Sequence, residues 1–589
     1  MKLWLPAVSF LPTVFGAPCR CQPGQACWPT DDTWASLNSS IDGNLAAVKP
    51  LASPCHVPDY NAAECAFVES NTHSSTFRSS FPGALQYQNW GAWPEQDEQC
   101  YVGSAKSIPC AQGRISLYAA EVESAKHIQE VVSFASRHNL RLVVKNSGHD
   151  LLGRSSAPRS LQIFTHKLKS IEVVDSFVPS TPDNVAAPPG VSAVTFGAGV
   201  QLHEMYAYLG SKGRMAVGGS ANTVGMSGGY VQGGGHSVLG WLHGMASDNA
   251  LEFKLVLADG SLVTANAYQN TDLFFALRGG GGGSFGVVVS VTVNAYPDYP
   301  VIFATVNYTT ATADAQFWQG VEATHTHLAT INDHGGSGYY KITPVAPISA
   351  TETASVFNMM LFFINQTDPQ TVSSLASPLV TSIHNATGLA PALDVIPFPS
   401  LSSMYSTLFA GNDTTGVLGQ VGSRLISRAF FDSSDFSESA SPASRITSAL
   451  SDLQLGPAEY IQGCLVGGGQ VARNRDVDSA LNPAWRETML HVMFTRFWSP
   501  NTSFAEQEAI TRNITHEQVS RLKALETRDM GAYLNEADAN EPDFRQAFWG
   551  ETYERLYEIK AARDPEGLFI ARLGVGSEDW DEDGLCRVQ

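Results

Sequence analysis

Basic residues are scarce in this chain. Only 36 Lys and Arg stand against 56 Asp and Glu over 589 residues, a formal net charge of −20. Phosphate contacts need clustered cations, so a nucleic-acid partner is excluded. Long apolar runs are missing as well. None reaches the roughly eighteen residues that a bilayer-crossing helix needs, so transporter readings fall away. Neither a Cys-x-x-Cys pair with zinc spacing nor His-Glu-x-x-His occurs, which leaves a metal site unsupported. Gly-x-x-x-x-Gly-Lys-Ser/Thr is absent, and with it the P-loop and motor proteins. Internal repeats and low-complexity tracts are absent too, which excludes a repeat architecture.

What remains is an ordinary globular composition, 43% hydrophobic and 16% charged. A chain of this length holds more than one core, so two or more domains are expected. The start reads as a secretory signal: Lys2, an apolar stretch Leu3 to Phe15, then Gly16 and Ala17. Residues 1–17 are therefore expected to be removed. Seven Asn-x-Ser/Thr sequons agree with secretion, at Asn38, Asn307, Asn365, Asn385, Asn412, Asn501 and Asn513. Of nine cysteines, seven precede residue 111. An oxidising compartment pairs most of them, and the odd count leaves at least one unpaired or intermolecular. The pairing itself is not readable.

Residues 18–110 are rich in Pro, Ser, Asn and Cys and read as a disulfide-stapled arm. Regular patterning starts near Ile115. Ala125, Ile128, Val131 and Ala135 form a helical stripe, and Leu140 to Val144 a buried strand ending in a Lys-Asn-Ser-Gly-His turn. That is a βαβ-like start. Val191 to Ala198 and Val287 to Val293 read as strands. Leu251 to Thr264 reads as a hairpin with a type I′ turn at Asp259-Gly260. Trp549, Tyr553, Leu556 and Ile559 fall on one helical face that Asp564-Pro565 ends. Asn482-Pro483 reads as a capped helix start. Residues 300–525 are less legible.

Glycine is the strongest signal. Residues 225–240 hold seven, and 279–283 are all glycine. Such density costs conformational entropy and points to backbone passing close to a large flat group or aiming amides at an anion. Gly281-x-Gly283-x-x-Gly286 fits the dinucleotide pattern literally, but a helix precedes it and a strand follows, the reverse of a Rossmann site. Gly225-x-Ser227-x-Gly229 fits a nucleophile elbow, yet no strand leads into it and no helix leaves it. A serine hydrolase using Ser227 is kept as a remote alternative. Loop 145–155 combines Lys145, Asn146, Ser147, Gly148, His149 and Arg154, donors suited to a pyrophosphate.

The run Val143 to Ser155 resembles the pyrophosphate loop of the vanillyl-alcohol oxidase superfamily of flavoproteins. It is closest to secreted fungal members of the berberine-bridge-enzyme-like group. Phe196 to Gly199, Gly218 to Gly240, Asp272 to Gly280, Tyr533 to Glu536 and Phe548 to Phe569 agree in order and spacing. The resemblance implies an α+β chain: a PCMH-type FAD-binding domain of two α/β subdomains over 111–298, and a substrate domain over 299–528 with a mixed or antiparallel sheet covered by helices. A berberine-bridge-like segment over 529–577 then returns to the FAD domain. It implies FAD held by Lys145, Asn146, Ser147, Gly148, His149, Asp150, Gly153, Arg154 and Ser155. Gly219, Ala221, Thr223, Val224, Gly225, Gly228, Gly229 and Asn535 complete that set. It also implies a bond from the flavin 8α-methyl to His149, formed when a neutral imidazole adds to the quinone-methide tautomer. Relatives with a second link carry a cysteine where this chain has Ala221, so a single link is expected. Val224 resembles the residue of oxygen-reactive members, so dioxygen is the expected acceptor, with hydrogen peroxide as product. Tyr533 is the expected base, with Asn535 on the same side and Gln470 as a further polar group. The expected substrate is a small molecule or sugar that loses hydride from a C–H next to oxygen or nitrogen. The alternative is an oxidative cyclase or dehydrogenase that uses dioxygen poorly.

Overall fold

The structure is a computed structural model that describes residues 19–92, 98–312, 314–409, 411, 413, 415–432 and 441–588. The expected signal segment and the Asn412 sequon lie outside the described residues.

The chain is α+β, built on three main sheets. The first holds β1 (Leu45–Ala47), β2 (Tyr118–Glu121), β3 (Leu142–Lys145) and β4 (Leu161–Phe164) in the order β1-β2-β4-β3, with β2, β4 and β3 parallel. The helical stripe becomes helix Ala125–Arg137, capped by Ser124, whose side chain accepts the His127 N–H. Such a cap contributes about 1 kcal/mol. Ile128, Val131, Val132 and Ala135 bury completely against this sheet. The arm expected over 18–110 is not set apart from it. It supplies edge strand β1, and its Trp34, Leu37 and Ile41 join the same core. Four disulfides staple the chain: Cys21–Cys27, Cys55–Cys65, Cys100–Cys110 and Cys19–Cys586, the last joining the two ends of the described chain. Cys464 is free and buried.

The second sheet is antiparallel: β5 (Ile171–Phe177), β6 (Val191–Gly197), β8 (Ala250–Val256), β9 (Leu262–Asn266) and β10 (Val287–Asn294), in the order β5-β6-β10-β8-β9. The short strands β7 (Arg214–Met215) and β11 (Tyr296–Pro297) pair separately. The β8–β9 turn corrects the type I′ expectation. Only Gly260 takes a positive φ, +81°, whereas type I′ needs two such residues. Asp259 instead folds its carboxylate over the Ser261 N–H and hydroxyl.

The third sheet has seven antiparallel strands: β12 (Val301–Ala311), β13 (Gly336–Pro347), β14 (Thr353–Ile364), β15 (Ala392–Phe398), β16 (Leu418–Ser427), β17 (Ile461–Leu465) and β18 (Thr488–Trp498). Their order is β15-β12-β14-β13-β17-β18-β16. Successive residues divide between two cores. Ile302, Tyr340, Leu361, Ile426 and Leu465 pack in the core shared with helices Ala315–His325, Pro369–Thr387 and Pro442–Ser451. Phe303, Tyr339, Phe362, Leu425 and Cys464 join the core of the second sheet and the glycine segments.

The chain then returns across this inner face. Leu425 N donates to Gly531 O at 3.0 Å, which anchors the segment carrying Tyr533 to Glu536. The expected helix through Trp549 is broken at Gly550, φ +55°, into Phe544–Trp549 and Tyr553–Arg563. Asp538 is fully buried in this return. Burial, with a smaller push from Glu541, raises its carboxyl to about 6 against the pull of Thr515, Asn540 and Arg424. A carboxyl raised in the native state adds stability that is complete below its unfolded pKa and is lost as pH rises through about 6. Stability of Asp538→Asn relative to wild type should therefore improve by about 1–3 kcal/mol between pH 4 and pH 7. Urea midpoints at the two pH values check this; a difference that stays constant would refute it.

Candidate active site

A cleft of about 370 Å³ runs between the glycine-rich loops of the first two sheets and the inner face of the third. At one end it is lined by Val144, Thr165, Ala198 and Val288, at the other by Tyr87, Tyr460, Gln462, Met493 and Glu536. Its floor is bare backbone. A Cβ on Gly282 would stand 3.1 Å from the Gly229 Cα, and one on Gly225 would stand 2.6 Å from the Asn146 amide. Gly148 takes φ +76°, which turns the 146–150 loop at the cleft wall. The Asn146 Oδ1 is buried without a hydrogen-bond partner among the described residues. An unpaired buried acceptor is costly, and a ribose hydroxyl or an amine is the kind of group that relieves it.

Asn146, Ser147, Gly148, His149, Asp150, Arg154 and Ser155 line this cleft, as do Ala221, Val224, Gly225, Gly228 and Gly229. Arg154 is not a free cation there. Its Nε donates to Asp150 Oδ1 at 2.6 Å and its Nη2 to Asn535 Oδ1 at 3.0 Å. Anion binding therefore falls to loop amides and hydroxyls. Five expected residues stand outside the lining, and each has a physical reason. The Lys145 ammonium turns away to the carbonyls of Phe81, Pro82 and Ala84 at 2.6, 3.1 and 2.5 Å. Gly153 makes room for Trp90, which a Cβ would meet at 2.5 Å. The Gly219 carbonyl accepts the hydroxyls of Tyr206 and Tyr405. Thr223 lies behind His149. Gln470 is bound to Asn474 and Arg473 in a turn against Trp241 and takes no part in the cleft. Ser227 touches the cleft, but its hydroxyl donates to Phe196 O and Gly197 O at 3.2 and 3.3 Å. With its proton on carbonyls and no hydrogen bond to a histidine among the described residues, it is no activated nucleophile, and the hydrolase alternative fails.

Behind His149, Nε2 stands 2.6 Å from the Thr223 hydroxyl. That hydroxyl lies 3.2 Å from Asp413 Oδ2, and Asp413 also accepts the backbone N–H groups of Asn222 and Thr223 at 3.0 and 3.1 Å. Burial lowers His149 to about 4, with Asp413 opposing, so the imidazole is neutral.

On the far wall the third sheet presents Gln462 and Cys464 from β17, with Tyr460 just before it, and His491 and Met493 from β18. Gln462 is in register with Met493, and Cys464 with His491. Over them sits the return segment. Tyr533 is buried, and its hydroxyl accepts from Gly235 N at 3.2 Å and Asn535 Nδ2 at 2.7 Å. Burial and then Glu536 raise this phenol, outweighing those two donors and Arg154. It stays protonated and offers its own O–H. Glu536 behaves oppositely. Its carboxylate accepts from His491 Nε2 at 2.9 Å and His236 Nε2 at 3.3 Å. Burial pushes the carboxyl up, but the two imidazoles outweigh it and hold it ionised. Nδ1 of His236 is buried without a partner among the described residues. An orphaned acceptor is tolerated better than an orphaned N–H, so its proton sits on Nε2 and points at the carboxylate. The His491 ring has the Arg424 backbone on its other side. The Cys464 thiol lies within 4.8 Å of a ring nitrogen of His236 and the Glu536 carboxylate. Burial raises this thiol well up, keeping it protonated.

Comparison with known proteins gives the family. A family model described as "FAD binding domain" matches residues 116–266, and one described as "Berberine and berberine like" matches 532–576. An uncharacterized FAD-linked oxidoreductase of Arthroderma benhamiae is 46% identical over 590 residues, covering 99% of this chain and 98% of that protein. The FAD-linked oxidoreductase malF of Malbranchea aurantiaca is 41% identical, with 96% and 94% covered. Among solved structures, the VAO-type flavoprotein MtVAO615 of Myceliophthora thermophila C1 superposes with a TM-score of 0.84 at 30% identity, covering 97% of this chain and all of that one. The fold is that of the VAO-type flavoproteins. The chain belongs to the berberine-like branch of that family, as an FAD-linked oxidoreductase. The bare glycine floor, the unpaired Asn146 oxygen and the loop amides of this cleft fit FAD.

Glu536, His491, His236 and Asp413 were not singled out from sequence. Glu536 adjoins the recognised Tyr-x-Asn run. The period-two spacing of Tyr460, Gln462 and Cys464, and of His491 and Met493, was the available signal for the far wall.

Proposed function

We propose that the protein is a secreted, glycosylated oxidase that removes hydride from a C–H next to oxygen or nitrogen of a small molecule and passes the electrons to dioxygen as hydrogen peroxide. One observation carries this reading: the FAD cradle opens directly onto a chamber walled by Tyr87, Tyr460 and Met493 and ending on the Glu536 carboxylate. Bound FAD supplies a two-electron acceptor. The chain supplies the rest. Glu536, held ionised by two imidazole donors, takes the proton from the substrate hydroxyl or amine. Tyr533 keeps its proton and donates a hydrogen bond, which replaces the base role expected of it. Asn535, bonded to Tyr533, Arg154 and Gly229, holds the return segment against the cradle. The aromatic and thioether wall favours a planar, largely apolar substrate over a sugar.

His149 is proposed as the single covalent anchor of the flavin. Ala221 offers no sulfur for a second. Val224 on the lining supports dioxygen access. Secretion is supported by the leader-like start, the four disulfides and the exposed sequons Asn365, Asn385, Asn501 and Asn513. The aromatic wall also favours a second reading, a cyclase or dehydrogenase in which hydride loss triggers ring closure. Peroxide released per substrate consumed separates the two. A ratio of one under air supports the oxidase. Turnover with dye acceptors and almost none with dioxygen supports the second reading. The purified protein should be yellow, with colour kept in the acid-precipitated pellet and lost from it in His149→Ala.

A further inference from the structure

We propose that Asp413, Thr223 and His149 form a proton relay that makes His149 Nδ1 the nucleophile for flavin attachment. The inference rests on the histidyl link proposed above and adds how this chain performs it. Hydrogen-bond counting sets every direction. An ionised carboxylate only accepts, and Asp413 takes two backbone N–H groups and the Thr223 hydroxyl. A threonine hydroxyl carries one proton. With that proton given to Asp413, its oxygen accepts from His149 Nε2 at 2.6 Å. Nε2 therefore carries the imidazole proton, and Nδ1 is left with a free lone pair. Nδ1 has no hydrogen-bond partner among the described residues, and His149 lines the cleft. The reverse chain would need a protonated Asp413 facing two backbone donors, which favour the ionised form.

Asp413 is held in place by parts of the chain remote in sequence. Its N–H donates to Ser75 Oγ at 3.2 Å, the Thr415 carbonyl lies 2.7 Å from His73 Nδ1, and Gly416 N donates to Gln86 O at 2.8 Å. Gly416 takes φ +72°, and a Cβ there would stand 2.1 Å from the Thr72 carbonyl. Asn222 Nδ2 ties the other side to Phe409 O at 2.8 Å. Remote stretches thus position the two residues behind this imidazole, so the relay exists only once the chain has folded.

The step balances. A bond forms between Nδ1 and the flavin 8α-carbon, which loses one hydrogen. The Nε2 proton passes to Thr223 as the Thr223 proton passes to Asp413. The electron pair of the broken C–H bond is taken up by the flavin ring and leaves to dioxygen, which departs with both protons as hydrogen peroxide. Asp413 and Thr223 are positioning residues: they touch His149, not the reacting carbon.

The test follows acid-stable flavin with time after FAD is added to apoprotein made under riboflavin limitation. Wild type, Thr223→Val, Thr223→Ser and Asp413→Asn are compared, with bound FAD measured in the native proteins by absorbance. Thr223→Val and Asp413→Asn should bind FAD yet attach it at least tenfold more slowly. Thr223→Ser, which restores the hydroxyl, should recover most of the rate. Attachment at the wild-type rate in both Thr223→Val and Asp413→Asn would overturn the relay while leaving the link intact. Wild type that binds FAD and releases it all into acid would overturn the link itself, a distinct result. Should Asp413→Asn fail to fold, the contrast between Val and Ser at 223 decides alone, because both side chains match threonine in size or polarity.

Discussion

Glu536→Gln is expected to lower kcat/KM by about 10²- to 10⁴-fold, the range for loss of a positioned general base, with flavin still bound. The substitution keeps shape and removes only the charge and the basic lone pairs. The argument rests on which group near the flavin is ionised at working pH. Tyr533 is raised by burial and by Glu536. Glu536 is raised by burial but carried below the ordinary carboxylate range by His236 and His491. A base held low is ionised through the whole mildly acidic range. Wild-type kcat/KM should therefore show no acid limb near the usual glutamate value of about 4.3. His491→Ala removes the 2.9 Å donor. Desolvation then acts with less opposition, and an acid limb should appear at higher pH. Tyr533→Phe removes one hydrogen-bond donor and should cost less, about 10- to 10²-fold, without moving that limb. Initial rates from pH 4 to 9 for the three variants check the set. Glu536→Gln within threefold of wild type, beside an inactive Tyr533→Phe, would return the base role to Tyr533.

The same residues show what can be read from sequence and what cannot. The 146–155 loop, the 218–240 glycines and the Tyr-x-Asn run were legible because they bring backbone and short polar side chains to the cleft, a pattern that glycine and small polar residues allow. The third sheet was not. Its central strands bury both faces, and β16 from Leu418 to Ser427 is buried throughout and carries no alternation to detect. Gln470 was misplaced for a related reason. The glycines before it do signal a close approach, but to protein: a Cβ on Gly468 would stand 2.2 Å from Asn332 Oδ1, and one on Gly469 would stand 2.3 Å from Trp241 O. Glycine density reports proximity without saying what is near. Lys145 erred the other way. A lysine beside a phosphate loop reads as a phosphate ligand, yet three carbonyls of the N-terminal arm claim it. Asp413 sits in a stretch with no periodicity, and only the folded chain brings it to Thr223.

Removing one partner of the buried Arg424–Glu541 pair should cost about 3–5 kcal/mol. Nη2 of Arg424 donates to Glu541 Oε2 at 2.7 Å, and both side chains are 3% exposed. Glu541→Ala removes the hydrogen-bonded carboxylate of this buried guanidinium and leaves it, among the described residues, one bond, to Ser423 O at 3.0 Å, with Nε unpartnered and only the more distant Asp538 and Asp529 to offset its charge. The position makes this more than a stability effect. Arg424 lies on β16 beside Leu425, which is in register with His491 and donates to Gly531. Glu541 lies at the end of the turn that carries Tyr533 and Glu536. The pair therefore clamps the return segment to β16, the neighbour of the strand that carries His491. With the clamp gone, Glu536 should spend less time between His236 and His491, and kcat/KM should fall even at temperatures where the protein remains folded. The double variant Arg424→Met with Glu541→Leu separates the two effects. A well-packed apolar pair is often as stable as a buried ion pair, so most of the lost stability and activity should return. Urea unfolding and kcat/KM on the single and double variants decide it. A single variant within about 1 kcal/mol of wild type would mean that water already reaches the pair, and that the return segment is held by its backbone contacts instead.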